Sequence, residues 1–185
     1  MLLAGAFAAI SGSSPEPRYS RAVAAVTCYR PAPQMPTAIV SGDIFETPEI
    51  RAYAFGANTD GTMDVGIAIA MKKRWPAFAE AFAARCADGK LELGDVFVWS
   101  EGDVTVFAVG TARGDKKSSI RALTHGVRRM LDLAAEAKIK RIGLARIVGV
   151  DWTRARKMLG EITVGHSVRL DVFEKFVRNQ PTVTA

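Results

Sequence analysis

From Thr37 to Phe173 the hydrophobic positions switch repeatedly between a period of two and a period near three and a half, so the chain reads as strands interleaved with helices. Thr37 to Val40 and Ala52 to Ala57 are predicted as the first strands. Val65 to Arg74 and Ala77 to Cys86 carry helical spacing interrupted by Pro76, and Ala87-Asp88-Gly89-Lys90 makes a turn. Val96 to Trp99 and Thr105 to Val109 flank Glu101-Gly102-Asp103, which predicts a hairpin. Ser118 or Ser119 caps a long helix in which Ile120, Leu123, Val127, Met130, Leu131 and Ala134 recur on one face. A buried strand over Arg141 to Ile147, a helix opened by Asp151 or Thr153 and bearing Ala155, Met158 and Leu159, and an alternating strand over Val168 to Phe173 complete the series. Strands alternating with helices, plus one hairpin, predict an α/β fold with a mixed sheet covered on both faces.

Composition changes near residue 35. Before it lie an Ala-rich opening from Leu2 to Ile10, the breaker Ser11-Gly12-Ser13-Ser14-Pro15, and the loop-like Tyr29-Arg30-Pro31-Ala32-Pro33-Gln34. The apolar opening has no Lys or Arg ahead of it, unlike an export signal, and its weak periodicity predicts a disordered tail. Met35-Pro36 stands directly before the first strand and marks an alternative start. The expected division is therefore a tail or mis-assigned start over residues 1–35, one globular domain over 36–178 and a short tail over 179–185. A chain of 185 residues with 49% hydrophobic and 24% charged positions suits one domain with a real core. No apolar run is long enough to span a bilayer, so no membrane partner is expected. The net charge of +6 favours an anionic partner, with nucleic acid as one class. Cys28 and Cys86 lie far apart with no ligand-spaced neighbours, so neither a metal site nor a disulfide framework is expected, and a reduced cytoplasmic setting is the default.

Candidate chemistry gathers in two short stretches. Val40-Ser41-Gly42-Asp43 ends a strand in Gly-Asp, and Ala54 to Asn58 ends a second strand just before the loop Met63-Asp64-Val65-Gly66 feeds a helix. Polar side chains and free backbone N–H groups thus meet where two strands and a helix N-terminus converge, the usual crevice for a nucleotide or phosphate. His125 within the long helix and His166 in a turn lack partners at catalytic spacing, and Lys72, Lys73 and Arg74 read as a solvated helix face or the wall of an anion groove.

Gly42-Asp43-Ile44-Phe45, then Asn58, then Met63-Asp64-Val65-Gly66-Ile67-Ala68 running into Lys72-Lys73-Arg74-Trp75-Pro76, then Ala145-Arg146-Ile147-Val148-Gly149-Val150, resemble the successive signatures of the macrodomain family. The likeness spans Thr37 to Val177 and is nearest to the branch of small ADP-ribosyl glycohydrolases, some acting on protein carboxylate esters and some on ADP-ribosylated DNA. It implies a three-layer α/β/α macrodomain-like sandwich with a mixed central sheet, and ADP-ribose as the ligand without any cofactor. By the resemblance, Asp43 and Ile44 receive adenine and Asn58 meets the distal ribose, although Asp43 and Asn58 also suit simple turns. Met63, Val65, Gly66 and Ile67 belong to the first phosphate loop, and Ile147, Val148, Gly149 and Val150 to the second.

The chain departs from the family pattern at three places. Asp64 replaces the first glycine of the first phosphate loop, placing a Cβ and a carboxylate beside a diphosphate. Val148 and Val150 take glycine positions in the second loop, which is also about two residues shorter. Thr111 stands where the branch carries a catalytic Lys, leaving Asp151 and the charged Arg113, Asp115, Lys116 and Lys117 as stand-ins, with Lys116 the candidate cation. Asp151 also fits as a helix cap, and no second carboxylate opposes it, so a two-carboxylate glycosidase is not indicated. The implied function is a monomeric reader of ADP-ribose, or of ADP-ribosylated protein or nucleic acid, with degenerate phosphate loops. The alternatives are an active ADP-ribosyl glycohydrolase and a basic scaffold that binds nucleic acid without ADP-ribose.

Overall fold

A computed structural model describes residues 37–178, 180, 183 and 184. The expected N-terminal tail lies outside them. Among the described residues the elements run β1 (Ala38–Gly42), β2 (Ala52–Asn58), α1 (Ile67–Arg74), α2 (Pro76–Ala87), β3 (Val96–Glu101), β4 (Val104–Ala112), α3 (Ile120–Glu136), β5 (Arg141–Ala145), α4 (Trp152–Ile162), β6 (Arg169–Phe176) and β7 (Val183–Thr184). One sheet takes all the strands in the order β3-β4-β2-β5-β6-β1-β7. The five strands from β4 to β1 are mutually parallel. β3 and β7 close the two edges in antiparallel pairing, which makes the sheet mixed.

Side-chain alternation sorts the core into two layers. Along β2, Tyr53, Phe55 and Ala57 face one cluster while Ala52 and Ala54 face the other; along β4, Val106 and Ala108 oppose Phe107 and Val109 in the same way. The first cluster packs under α1 and α2 through Met71, Phe78 and Phe82, with Phe78 meeting the Phe55, Phe82, Phe97 and Trp99 rings at centroid distances of 5.8–6.1 Å. The second packs under α3 and α4 through Leu123, Val127, Met130, Leu131 and Leu159. Helices on both faces of one sheet give the three-layer α/β/α sandwich.

Several boundaries differ from the sequence reading for identifiable reasons. Pro76 does not interrupt a helix; it stands at the first position of α2, where its missing N–H costs nothing. α1 starts at Ile67 rather than Val65 because Gly66 sits at φ +56° and ψ −133°, outside helical space. The hairpin strands extend to Glu101 and Val104 around a two-residue Gly102-Asp103 turn, with Gly102 at φ +58°. β5 ends at Ala145, two residues early, while the last strand continues three residues past Phe173. Ser119, not Ser118, caps α3, its side chain accepting from Ala122 N at 3.4 Å. No helix among the described residues is long and apolar enough to cross a membrane.

Two features hold the layers in place. α3 approaches β4 so closely at Gly126 that a Cβ there would lie 2.3 Å from Val109 Cγ1. At the opposite end of the sheet from the carboxyl termini of the parallel strands, the fully buried Asp171 accepts from Arg141 Nε at 2.5 Å and from Arg169 Nε at 2.8 Å.

Helix propensity favours alanine over glycine by about 1 kcal/mol, yet Gly126→Ala is expected to destabilise by about 1–3 kcal/mol through overpacking, read as a lower urea midpoint. Asp171→Ala is expected to cost about 3 kcal/mol, because it leaves the largely buried Arg141 guanidinium with only the exposed Glu49 carboxylate; a thermal melt unchanged within 1 °C (roughly 0.3 kcal/mol at this size) would contradict that.

Candidate functional site

All five parallel strands end at one edge of the sheet, and a cleft of about 950 Å³ opens there. That size and position are those of a small-molecule site in an α/β fold. Its floor depends on Gly56 of β2. A Cβ at Gly56 would lie 2.8 Å from Thr111 Oγ1 and 3.0 Å from Ile147 Cγ2, so the missing side chain lets β4 and the segment after β5 close beneath the opening.

At the β1 end, Gly42 takes φ +146° and turns the chain out of the strand. Asp43, only 7% exposed, follows. One carboxylate oxygen accepts from Phe45 N at 3.0 Å, and its carbonyl accepts from Glu46 N at 3.1 Å and Thr47 Oγ1 at 3.2 Å. The second carboxylate oxygen has no partner among the described residues and remains available as an acceptor in the cleft wall. Ile44, Phe45, Phe173, the 63% exposed Phe176 and Arg178 line the same end. Flat apolar rings beside a free carboxylate oxygen suit a heteroaromatic base that carries an amino group.

The first loop runs from Asn58 to Ile67. Asp60 Oδ1 accepts from Thr62 N at 3.1 Å and Thr62 Oγ1 at 2.9 Å, which fixes the turn. Gly66 then leads into α1, whose first turn has neither a side-chain cap nor an acidic residue, so its leading N–H groups face outward unpaired. Asp64, Val65, Gly66 and Ile67 line the cleft, whereas Met63 is buried in the first core cluster.

The second loop is divided. Arg146, Ile147 and the 74% exposed Val148 line the cleft. Gly149, Val150 and Asp151 do not. Gly149, at φ +81°, backs onto Ser118, whose N would lie 3.2 Å from an added Cβ; Val150 packs on the second core cluster. Asp151 is the N-cap of α4, accepting from Arg154 N at 3.1 Å. Arg146 lies over the Trp152 ring at 5.2 Å, and Trp152 Nε1 donates to Glu174 Oε1 at 2.5 Å. This stack fixes a guanidinium at the cleft beside glycine positions that valine occupies.

The remaining candidates meet at the far end. Thr111, 1% exposed, forms floor with its hydroxyl 3.5 Å from Ser118 Oγ. Lys116 and Asp115 stand on the rim, in the loop joining β4 to α3. Asn58 bonds this loop twice: Nδ2 donates to Gly114 O at 2.9 Å and Oδ1 accepts from Gly114 N at 3.0 Å. His125 bonds Gly94 O and His166 faces Asp132, both away from the cleft. Burial, with the Asp60 carboxylate, pushes the Cys86 thiol above its ordinary value and disfavours the thiolate. No group of three or more His, Cys, Asp or Glu among the described residues is arranged to hold a metal. Sequence reasoning did not single out Gly56, Arg146, Glu174, Phe176 or Arg178, all of which line the cleft.

Comparison with known proteins bears on this arrangement. Over 131 residues the chain is 23% identical to a DNA ADP-ribosyl glycohydrolase of Thermus aquaticus, covering 66% of this chain and 36% of that protein, so the match spans about a third of the relative's length. The macrodomain of Thermus aquaticus DarG superposes with a TM-score of 0.68 at 22% identity, over 75% of this chain and 97% of the other. Thermosipho africanus DarTG, solved in complex with ADP-ribose, gives 0.66 at 18% identity, over 77% and 42%. Residues 55–159, more than half of the chain, match the Macro domain family, and with the sheet order and the cleft this places the protein in the macrodomain family.

Proposed function

We propose that this macrodomain binds ADP-ribose, free or attached to a protein or nucleic acid, and acts mainly as a reader with little turnover. The observation that carries the reading is the cleft itself. It offers a free Asp43 oxygen among rings at one end, the open N-terminus of α1 and the stacked Arg146 along its walls, and hydroxyl-sized polar room at the other. Base, diphosphate and sugar therefore each meet groups of fitting chemistry. Limited turnover is supported by where the candidate catalytic groups sit, since Thr111 is 1% exposed in the floor and Asp151, at the N-cap of α4, does not line the cleft.

The second reading, an ADP-ribosyl glycohydrolase, draws support from Lys116 and Asp115 on the rim and from the activity named for the Thermus aquaticus relative. Lys116 would then neutralise the negative charge building on the departing group, while Asp115 would take the proton of the water that attacks the sugar carbon. A nucleic-acid carrier fits the exposed Arg113, Lys117, Arg121 and Arg128, none of which has an acidic partner among the described residues.

Calorimetry is expected to show saturable ADP-ribose binding that Asp43→Ala weakens at least tenfold, about 1.4 kcal/mol; no heat at millimolar ligand would overturn the proposal. Arg146→Ala is expected to reduce affinity for ADP-ribose and AMP by roughly three- to thirtyfold, about 0.7–2 kcal/mol, and adenosine affinity by much less. Incubation with ADP-ribosylated DNA or protein should release little ADP-ribose, whereas rapid release abolished by Lys116→Ala would establish the second reading. Steeply salt-dependent nucleic-acid binding that ADP-ribose does not displace would mark the scaffold.

A further inference from the structure

We propose that Asn58 acts as a positioning residue for the loop between β4 and α3, and that this loop, through Lys116, is what contacts the sugar at the far end of the nucleotide; the inference rests on the ADP-ribose reading. A primary amide has two N–H donors and two acceptor lone pairs. In this structure Oδ1 accepts from Gly114 N at 3.0 Å and from Asp60 N at 3.4 Å, so both lone pairs are engaged. Nδ2 spends one N–H on Gly114 O at 2.9 Å. A single N–H is left to donate to a ligand, and no lone pair remains to accept from a sugar O–H.

The amide and the Gly114 backbone thus pair as two rungs of a ladder, joining the end of β2 to a loop 56 residues later in the chain. Gly114 sits at φ +57°, the left-handed conformation that lets one residue offer both its N–H and its C=O to the same side chain. Within residues 113–117 the other bond is the weak turn from Lys116 N to Arg113 O at 3.3 Å; the chain is next secured where Ser119 N donates to Thr111 O at 2.7 Å. Asn58 therefore supplies two of the three hydrogen bonds on residues 113–117, and losing them favours the disordered loop.

Position along the sheet assigns the loop its end of the ligand. β5 and β6 separate β2 from β1, so Asn58 and Asp43 stand three strand spacings apart, roughly 14 Å. With the base held by Asp43, the diphosphate crosses β5 and β6 and the terminal sugar arrives beneath the tethered loop.

Three measurements on the full chain test this, with Asn58→Ala, Asn58→Asp, Lys116→Ala and the double variant Asn58→Ala/Lys116→Ala. Hydrogen exchange should accelerate at least tenfold in peptides covering 112–118 for both Asn58 variants, since Asp keeps an acceptor for Gly114 N but sets a carboxylate against Gly114 O. Melting temperature should hold, because the bonds are exposed. ADP-ribose affinity should fall about tenfold in Asn58→Ala while ADP affinity stays within twofold, and adding Asn58→Ala to Lys116→Ala should weaken ADP-ribose no further. Unchanged loop exchange, or losses that multiply in the double variant, would overturn the proposal and return Asn58 to direct sugar contact. Failure of the unaltered chain to bind ADP-ribose would instead remove the parent reading, with the exchange arm still deciding whether Asn58 holds the loop.

Discussion

Parallel strands cannot be joined by a tight turn; each connection must leave the sheet and return to the starting side, through helices in most cases and through the helix-free segment 43–51 between β1 and β2. This constraint collects the loops after β1, β2, β4, β5 and β6 at a single edge. The cleft is built from what those loops and strand ends bring there. Its depth comes from β2, where the absent side chain of Gly56 allows Thr111 and Ile147 to meet under the opening. A floor made where β2, β4 and the segment after β5 meet, with walls from the loops and strand ends around it, gives a pocket whose residues are scattered from Gly42 to Arg178 in the chain.

The second loop shows how such a wall tolerates change. Glycines normally let backbone N–H groups approach a diphosphate, and Val148 and Val150 forgo that freedom. Val148 points outward, Val150 inward, and Gly149 is used against Ser118 instead. The charge at this wall is supplied by Arg146, which depends on a chain of supports: the ring of Trp152 beneath it, and Glu174 fixing the indole. The wall therefore presents one ring-stacked cation next to Val148.

Much of the architecture was legible in the sequence because burial on both faces leaves a period of two in the strands and an apolar stripe on α3, and each pattern is local. The strand-end Gly-Asp and the Gly66 entry to α1 were legible for the same reason. The site was read less completely. An Asp before a helix looks the same in sequence whether it faces a cleft or not, and the structure places Asp151 at the N-cap of α4, bonded to Arg154 N and outside the cleft lining. Met63 carries a loop position in sequence but faces the core, since nothing in local spacing distinguishes the two sides of that loop. Phe176 and Arg178 escaped notice because β6 continues through polar Glu174 and Lys175, where alternation fades while pairing with β1 persists.

Asp171 has a meaning beyond its two hydrogen bonds. Arg141 of β5 and Arg169 of β6 are direct partners in the ladder, and like charges in that position repel. The carboxylate two residues along β6 reaches both guanidiniums only in this pairing. A strand docking one place out of step would turn Arg169 and Asp171 together toward the opposite layer and leave Arg141 with only the exposed Glu49 carboxylate. The triad therefore favours one alignment of β5 with β6, and with it the level at which their loops leave the sheet edge.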